Sequence, residues 1–250
     1  MNWSWLGWGF IGLSAILLIL FTYLFKLKQG YQIRRMPAVT ALLASRASTI
    51  EQGKRRQIVL GQQLWSRTYP GLGLQSLAAL SAYLNPESMA DGRLTISGGD
   101  GSLVVFARQI IHGCYQDGFS TDLNNAPVVD IALPGPTPLS FTAGLLSKIS
   151  ISPHHSLALF GQYGPEAMLW TESAADDGGE VFAAAGSLAS QAALFLTVRN
   201  LLIGEEIMMA PGLFEPSTNS GASWAAEDLL RFLLILLLIT GAILKMVGIL

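Results

Sequence analysis

The chain has 250 residues, 51% of them hydrophobic and 13% charged, with a net charge of −2 and a mean hydropathy of +0.45. That balance is too apolar and too charge-poor for an ordinary soluble protein of this length, and it points to a membrane component. It argues against a nucleic-acid partner, since the lysines and arginines form no stripe with interleaved aromatic residues.

The N-terminal segment supplies a first membrane element. From Trp5 to Phe25 no charge interrupts roughly twenty positions, about the length a helix needs to cross the hydrocarbon core. No basic residue precedes this run, and its apolar core is too long for a secretory signal. Lys26, Lys28, Arg34 and Arg35 follow where a small-residue cleavage site would stand. The run therefore reads as a retained anchor, with residues 1–26 as the first span and 27–36 as a basic juxtamembrane linker. Trp3, Trp5 and Trp8 suit the outer aromatic belt, and the basic cluster suits the cytoplasmic side.

Between residues 37 and 212 helical and strand patterns alternate. Ala38–Gln52 predicts a helix that stops at Gly53, and Arg56–Gly61 a short β-branched strand. A helix over Leu74–Leu84, halted before Pro86, leads to a second strand over Gly92–Gly99. Leu103–Gln116 is the next helix, Pro127–Leu133 the third strand and Ser140–Ile149 a crossover helix. The fourth strand is His155–Gly161, followed by a helix from Pro165 to about Ala175. Glu180–Gly186 predicts the fifth strand, then a short helix, and Ala193–Val198 the sixth strand; Gly204–Ala210 opens a further helical turn. The apolar runs are nearly continuous, as in strands covered on both faces. The pattern predicts a three-layer, Rossmann-like α/β domain with a mainly parallel sheet, inserted between two transmembrane helices.

Residues 213–226 read as a linker and 227–250 as the second span. The apolar run Leu229–Leu250 carries Arg231 near one end and Lys245 near the other, both placed to snorkel. Two spans with basic residues inside put both termini outside and the α/β domain in the cytoplasm, with Trp224 and Arg231 at the inner interface. Cys114 is the only cysteine, so no intramolecular disulfide exists, as suits a reducing compartment.

In an open parallel sheet, ligands collect at the carboxyl ends of the strands. Gln62, Asp100, Glu166, Ser187, Glu205 and Glu206 follow predicted strands there. They form a polar to acidic rim suited to a small polar molecule or a metal ion, and equally to a solvated or intersubunit edge. The turn Gly161–Glu166 has the strand, glycine turn and helix start that hold phosphates. A carboxylate already stands in its first helical turn, however, and no lysine or arginine joins it. Gly164 reads as the helix cap and Pro165 as the first helical residue. Ser97–Ser102, the most glycine-dense loop, is either a backbone nest for an anion or a tight turn capped by Ser102 or Asp100.

Neither G-x-G-x-x-G nor G-x-x-x-x-G-K-[ST] stands at a strand end, and no H-x-x-H, H-E-x-x-H, C-x-x-C or G-x-S-x-G occurs. His112 and Cys114 lie two apart on a helix and face different sides; His154 and His155 precede the fourth strand, at the edge away from the crevice. No catalytic residue, metal ligand set or cofactor is predicted.

Three segments, Leu201–Phe214 (LLIGEEIMMAPGLF), Phe160–Trp170 (FGQYGPEAMLW) and Arg55–Leu64 (RRQIVLGQQL), carry a resemblance, together with a terminal span opening WAAEDLLRFLLILLLITGAIL. The chain resembles an uncharacterised bacterial two-span membrane family, a domain of unknown function, over about Met36 to Leu250. The most specific part is the I-G-E-E run before the last span. The chain departs from that pattern at Met208, Met209, Ala210 and Pro211, where the family has a smaller, Gly-containing stretch. The resemblance implies a Rossmann-like cytoplasmic domain at a bacterial inner membrane, with no activity attached.

Neither span holds a buried acidic residue or a broken helix, so one chain makes a poor transport path. The function expected is structural: a homo-oligomeric membrane assembly, a ring among its forms, built by α/β domains that pack side by side. Two alternatives stand beside it. One is a membrane-tethered sensor that binds a small molecule or metal at the rim; the other is an enzyme in which Glu205, Glu206 or Glu166 acts as acid or base, which is not the favoured reading. The expected partners are the lipid bilayer and further copies of the chain.

Overall fold

The computed structural model describes residues 12, 14–23, 36–66, 71–84, 93–118, 129–151, 156–215 and 218–246. The chain divides into two compact units, Arg35–Glu215 and the two chain ends.

In the larger unit helices and strands alternate: α1 (Pro37–Glu51), β1 (Arg56–Leu60), α2 (Leu72–Tyr83), β2 (Leu94–Ser97), α3 (Gly101–Gly118), β3 (Val129–Ala132), α4 (Pro138–Ile151), β4 (Ser156–Gly161), α5 (Ala167–Asp176), β5 (Glu180–Ala185), α6 (Leu188–Thr197), β6 (Asn200–Leu202) and α7 (Glu206–Phe214). The six strands form one sheet in the order β3-β2-β1-β4-β5-β6, every pair parallel. This is the doubly wound order of Rossmann-like domains, with the winding reversed between β1 and β4.

The two central strands explain why their sequences run apolar without alternation: every residue of β1 and of β4 is buried. On one face Val59, Leu157, Leu159 and Ala183 pack with Phe141 and Leu145 of α4, Trp170 of α5 and Leu194 of α6. On the other, the Phe214 ring of α7 lies 5.7 Å from the rings of Tyr83 and Phe160 and 6.2 Å from that of Phe182. This face also encloses a charge. Arg56, the first residue of β1, is 1% exposed, and the Tyr83 hydroxyl is among its partners. Arg46 lies over the same ring at 5.4 Å and donates to the Tyr83 carbonyl at 2.7 Å. Burial lowers the Arg56 pKa and raises that of Tyr83, the latter opposed by the two nearby guanidiniums.

The sixth strand differs from the sequence expectation. Ala193–Val198 belongs largely to helix α6, and β6 is Asn200–Leu202. A short apolar run has no period that separates strand from helix. Ser187 decides the matter: its Oγ accepts from the Ser190 N–H at 3.1 Å and starts a helix that the apolar run completes. Helix α5 likewise begins at Ala167 rather than Pro165, because Gly164–Glu166 form a turn in which Ala167 and Met168 donate to the Gly164 and Pro165 carbonyls.

In the smaller unit residues 14–23 are helical, and α8 (Thr218–Met246) is a helix of 29 residues, about 43 Å long at 1.5 Å per residue. It takes in most of the stretch expected as a linker, since a lone Gly221 is too weak a breaker to stop it. Among the described residues no helix is long and apolar enough to cross a membrane. In α8, Glu227, Asp228 and Arg231 precede the apolar run, and Arg231 pairs with Glu227 at 2.5 Å and Asp228 at 3.9 Å. Beyond them Phe232–Ile239 is exposed at every position, while Trp224 is buried. Most of the expected first span, with Trp3, Trp5, Trp8, Lys26, Lys28, Arg34 and Arg35, lies outside the described residues, as does the end of the second beyond Met246.

Candidate functional site

Because every strand is parallel, all the loops that follow strands share one edge of the sheet. The six rim residues fall along it in the spatial order Asp100, Gln62, Glu166, Ser187, then Glu205 with Glu206, behind β2, β1, β4, β5 and β6. A doubly wound sheet keeps its ligand crevice where the winding reverses, here between Gln62 and Glu166.

The chain closes that crevice itself. Leu60-Gly61-Gln62 and Phe160-Gly161-Gln162 are matching triplets at the ends of two strands whose register pairs Leu60 with Phe160. Their glycines meet back to back: a Cβ on Gly161, whose φ is +136°, would stand 2.6 Å from Gly61 Cα. Beyond them the Gln62 N–H donates to the Gln162 carbonyl at 3.0 Å, and Gln62 Nε2 donates to Glu166 Oε1 at 2.8 Å. Beneath, the Tyr163 hydroxyl donates to the Val59 carbonyl at 2.5 Å. Burial pushes this phenol well above its ordinary pKa, so it remains a donor.

Side-chain oxygens also occupy three of the helix N-termini at this edge, and two glutamates bond within the turns that lead into others. Asp100 accepts from the Ser102 N–H at 3.0 Å at the start of α3, and Thr137 accepts from the Ser140 N–H at 3.3 Å in the first turn of α4. Glu166 folds back on the Gly164 N–H at 3.1 Å ahead of α5, Ser187 caps α6, and Glu206 accepts from the Ile203 N–H at 3.4 Å before α7. Helices α2, α5 and α7 have no side chain bonded to the N–H groups of their own first turn. At α3, α4 and α6 the capping oxygen sits where an incoming anion would have to bind. Ser97–Ser102 is thus a capped turn.

Beside the closed crevice a cleft of about 250 Å³ remains, lined by Gln62, Gln63 and Asp100 on its polar side and by Leu133, Pro136 and Phe141 on its apolar side. Burial raises the Asp100 pKa, but hydrogen bonds from Ser102 and from the Leu64 N–H outweigh it and hold the carboxyl below the usual aspartate value. A charged carboxylate at the mouth suits a neutral or cationic guest, not a phosphate.

The rim therefore splits. Gln62 and Glu166 bond directly, and Gln62 shares the cleft with Asp100. Ser187 serves α6 and donates to the Tyr163 carbonyl at 2.7 Å, and Glu205 and Glu206 stand at the β6 end where α7 begins. The sequence reading missed Gly61, Gln162, Tyr163 and Phe141; the repeated apolar-Gly-Gln triplet was the available signal for the first two. Among the described residues no group of three His, Cys, Asp or Glu side chains is placed to hold a metal ion. His112 is exposed on α3, Cys114 Sγ donates to the Leu84 carbonyl at 3.7 Å, and His154 and His155 lie outside the described residues.

Compared with protein-family models, curated proteins and solved structures, the chain matches none. The functional reading rests on the sequence and the geometry.

Proposed function

We propose that this chain is a membrane-anchored assembly protein whose α/β domains associate side by side. The observation that carries this reading is the outward face of α6. Its exposed positions are Leu188, Ala189, Ala192, Phe195 and Leu196, and none is polar. Leu188, Phe195 and Leu196 are 76%, 69% and 80% exposed. A helix that only covers a sheet turns polar residues outward, and a contiguous apolar face marks an interaction surface. The edge that related architectures give to a ligand is here filled by the chain's own Gln62 and Glu166, which fits a structural role better than a catalytic one.

Anchoring belongs to the same proposal. Phe232–Ile239 is apolar on every side of α8 and exposed throughout, a surface suited to lipid. The uncharged run Trp5–Phe25 and the basic cluster after it support two spans, both termini outside and a cytoplasmic domain. An inner-membrane location is part of the same proposal.

The test is the particle mass of the full chain in mild detergent, by light scattering. A multimer that dissociates on Phe195→Glu is expected; a monomer at concentrations where the fold is intact overturns the reading. A second reading, favoured by the cleft beside Asp100, is the binding of a small neutral or cationic molecule. A guest bound only to the folded state raises the melting temperature. No shift across a panel of amines, sugars and divalent cations removes that reading for those compounds.

A further inference from the structure

The domain carries its charge unevenly. Residues 156–215, which build β4–β6 with α5, α6 and α7, hold eight acidic side chains and one basic, Arg199, a net of −7. Among the described side chains of residues 54–150, which build β1–β3 with α2, α3 and α4, six are basic and two acidic, a net of +4, and α1, which packs against β4–β6, adds Arg46 and Glu51 to the acidic half without changing its net. The strand order β3-β2-β1-β4-β5-β6 sets these halves at opposite ends of the sheet. Pairing the α6 face with the α6 face of another copy would bring two strongly acidic halves together. Repulsion between like-charged surfaces disfavours that arrangement.

The far end of the sheet offers a better match. There α3 exposes Val105 and Phe106, at 67% and 49%, and one turn on it exposes Arg108, with no acidic residue among its described side chains. Helix α5, which packs against α6, exposes Glu172 beside the apolar face. Neither Arg108 nor Glu172 is ion-paired within the described residues. An apolar centre with an acidic margin thus stands at one end, and an apolar pair with a basic margin at the other.

Resting on the self-assembly proposed above, we infer that copies join head to tail: the α6 face and Glu172 of one domain seat on Val105, Phe106 and Arg108 of the next. The contact uses two different surfaces, so it propagates. It closes into a ring where the rotation per copy divides a full turn, and it extends as a filament where it does not.

Two measurements on the full chain in mild detergent test this, both at positions exposed in the single domain. In a dilution series of particle mass, Arg108→Glu and Glu172→Lys each weaken self-association by about tenfold, and the double substitution restores it. For cross-linking in a Cys114→Ser background, a Phe195→Cys chain and a Val105→Cys chain are dissociated, mixed, reassembled and treated with a short bis-maleimide; links form in the mixture and in neither chain alone. Self-linking of the Phe195→Cys chain, tighter association of Glu172→Lys, or no restoration in the double variant overturns the head-to-tail contact and leaves self-assembly standing. A native chain that is monomeric throughout overturns both.

Discussion

Gly161→Ala is the substitution that most directly probes the closed crevice. At φ +136° any residue with a side chain is strained, by roughly 1–3 kcal/mol. The new Cβ would stand 2.6 Å from both Cα and N of Gly61, about 1 Å inside ordinary carbon contact. Those are backbone atoms at the end of a strand held to β4 by five register pairs, so neither can swing aside. Crowding of that kind adds roughly 1–3 kcal/mol, for a total of about 2–6 kcal/mol. Gly178 provides the control: its φ is +75°, but a Cβ there meets nothing within 4 Å. Gly178→Ala therefore bears backbone strain alone, about 1 kcal/mol. For a domain of this size each kcal/mol lowers the melting temperature by about 2–4 °C. In calorimetry of the full chain, Gly161→Ala should melt about 10 °C below the native protein, and Gly178→Ala only a few degrees below. Equal shifts would refute the claim that the ends of β1 and β4 meet.

Asp100→Ala removes the oxygen that caps α3 and should cost about 1 kcal/mol at neutral pH. Because the Asp100 carboxyl titrates lower in the folded chain, its contribution is full above the ordinary aspartate value near 3.9 and fades as pH falls through the lower folded value. The melting gap between native and variant should shrink once the pH falls below the ordinary aspartate value, and a gap that stays constant through that acid range would contradict the assignment. Tyr83→Phe takes a hydroxyl partner from the buried Arg56 and should lower stability to urea by about 1–3 kcal/mol. An unchanged midpoint would show that the guanidinium is satisfied without it. Glu166→Ala releases Gln62 and the Gly164 N–H together. Hydrogen exchange should quicken at Gly164 while the amides of α2 keep their protection; uniform protection would mean that the carboxylate holds neither.

The doubly wound sheet is readable from the residues because its buried strands are short apolar runs, each bounded by glycine or by a polar turn. Runs such as Arg56–Leu60 and Ser156–Gly161 leave few other assignments once helical stretches separate them. The rim is readable for the same topological reason: a residue just after a parallel strand has only one edge on which to fall. What that edge does is not readable from spacing. Gln62 and Glu166 meet across 104 positions of sequence, and nothing local announces the bond. The sixth strand shows the opposite failure. Ala193–Val198 looks extended by composition, yet the Ser187 cap six positions earlier in the chain commits it to a helix. The outward face of α6 is equally hidden, because seven apolar residues in a stretch of ten look like core until the structure shows that five of them face outward.

The bond between Gln62 and Glu166 also has a mechanical meaning. In a doubly wound domain with an open crevice, the halves around β1 and β4 have a seam along which to flex, and closure on a guest is the motion that seam permits. Here the seam is stitched at the glycine contact, at the Gln62 to Gln162 backbone bond and at the carboxamide to carboxylate bond above it. The sheet then behaves as a stiff beam from β3 to β6. In the proposed assembly, a load applied at one end would reach the other with little lost to bending, as a strut between neighbouring copies requires.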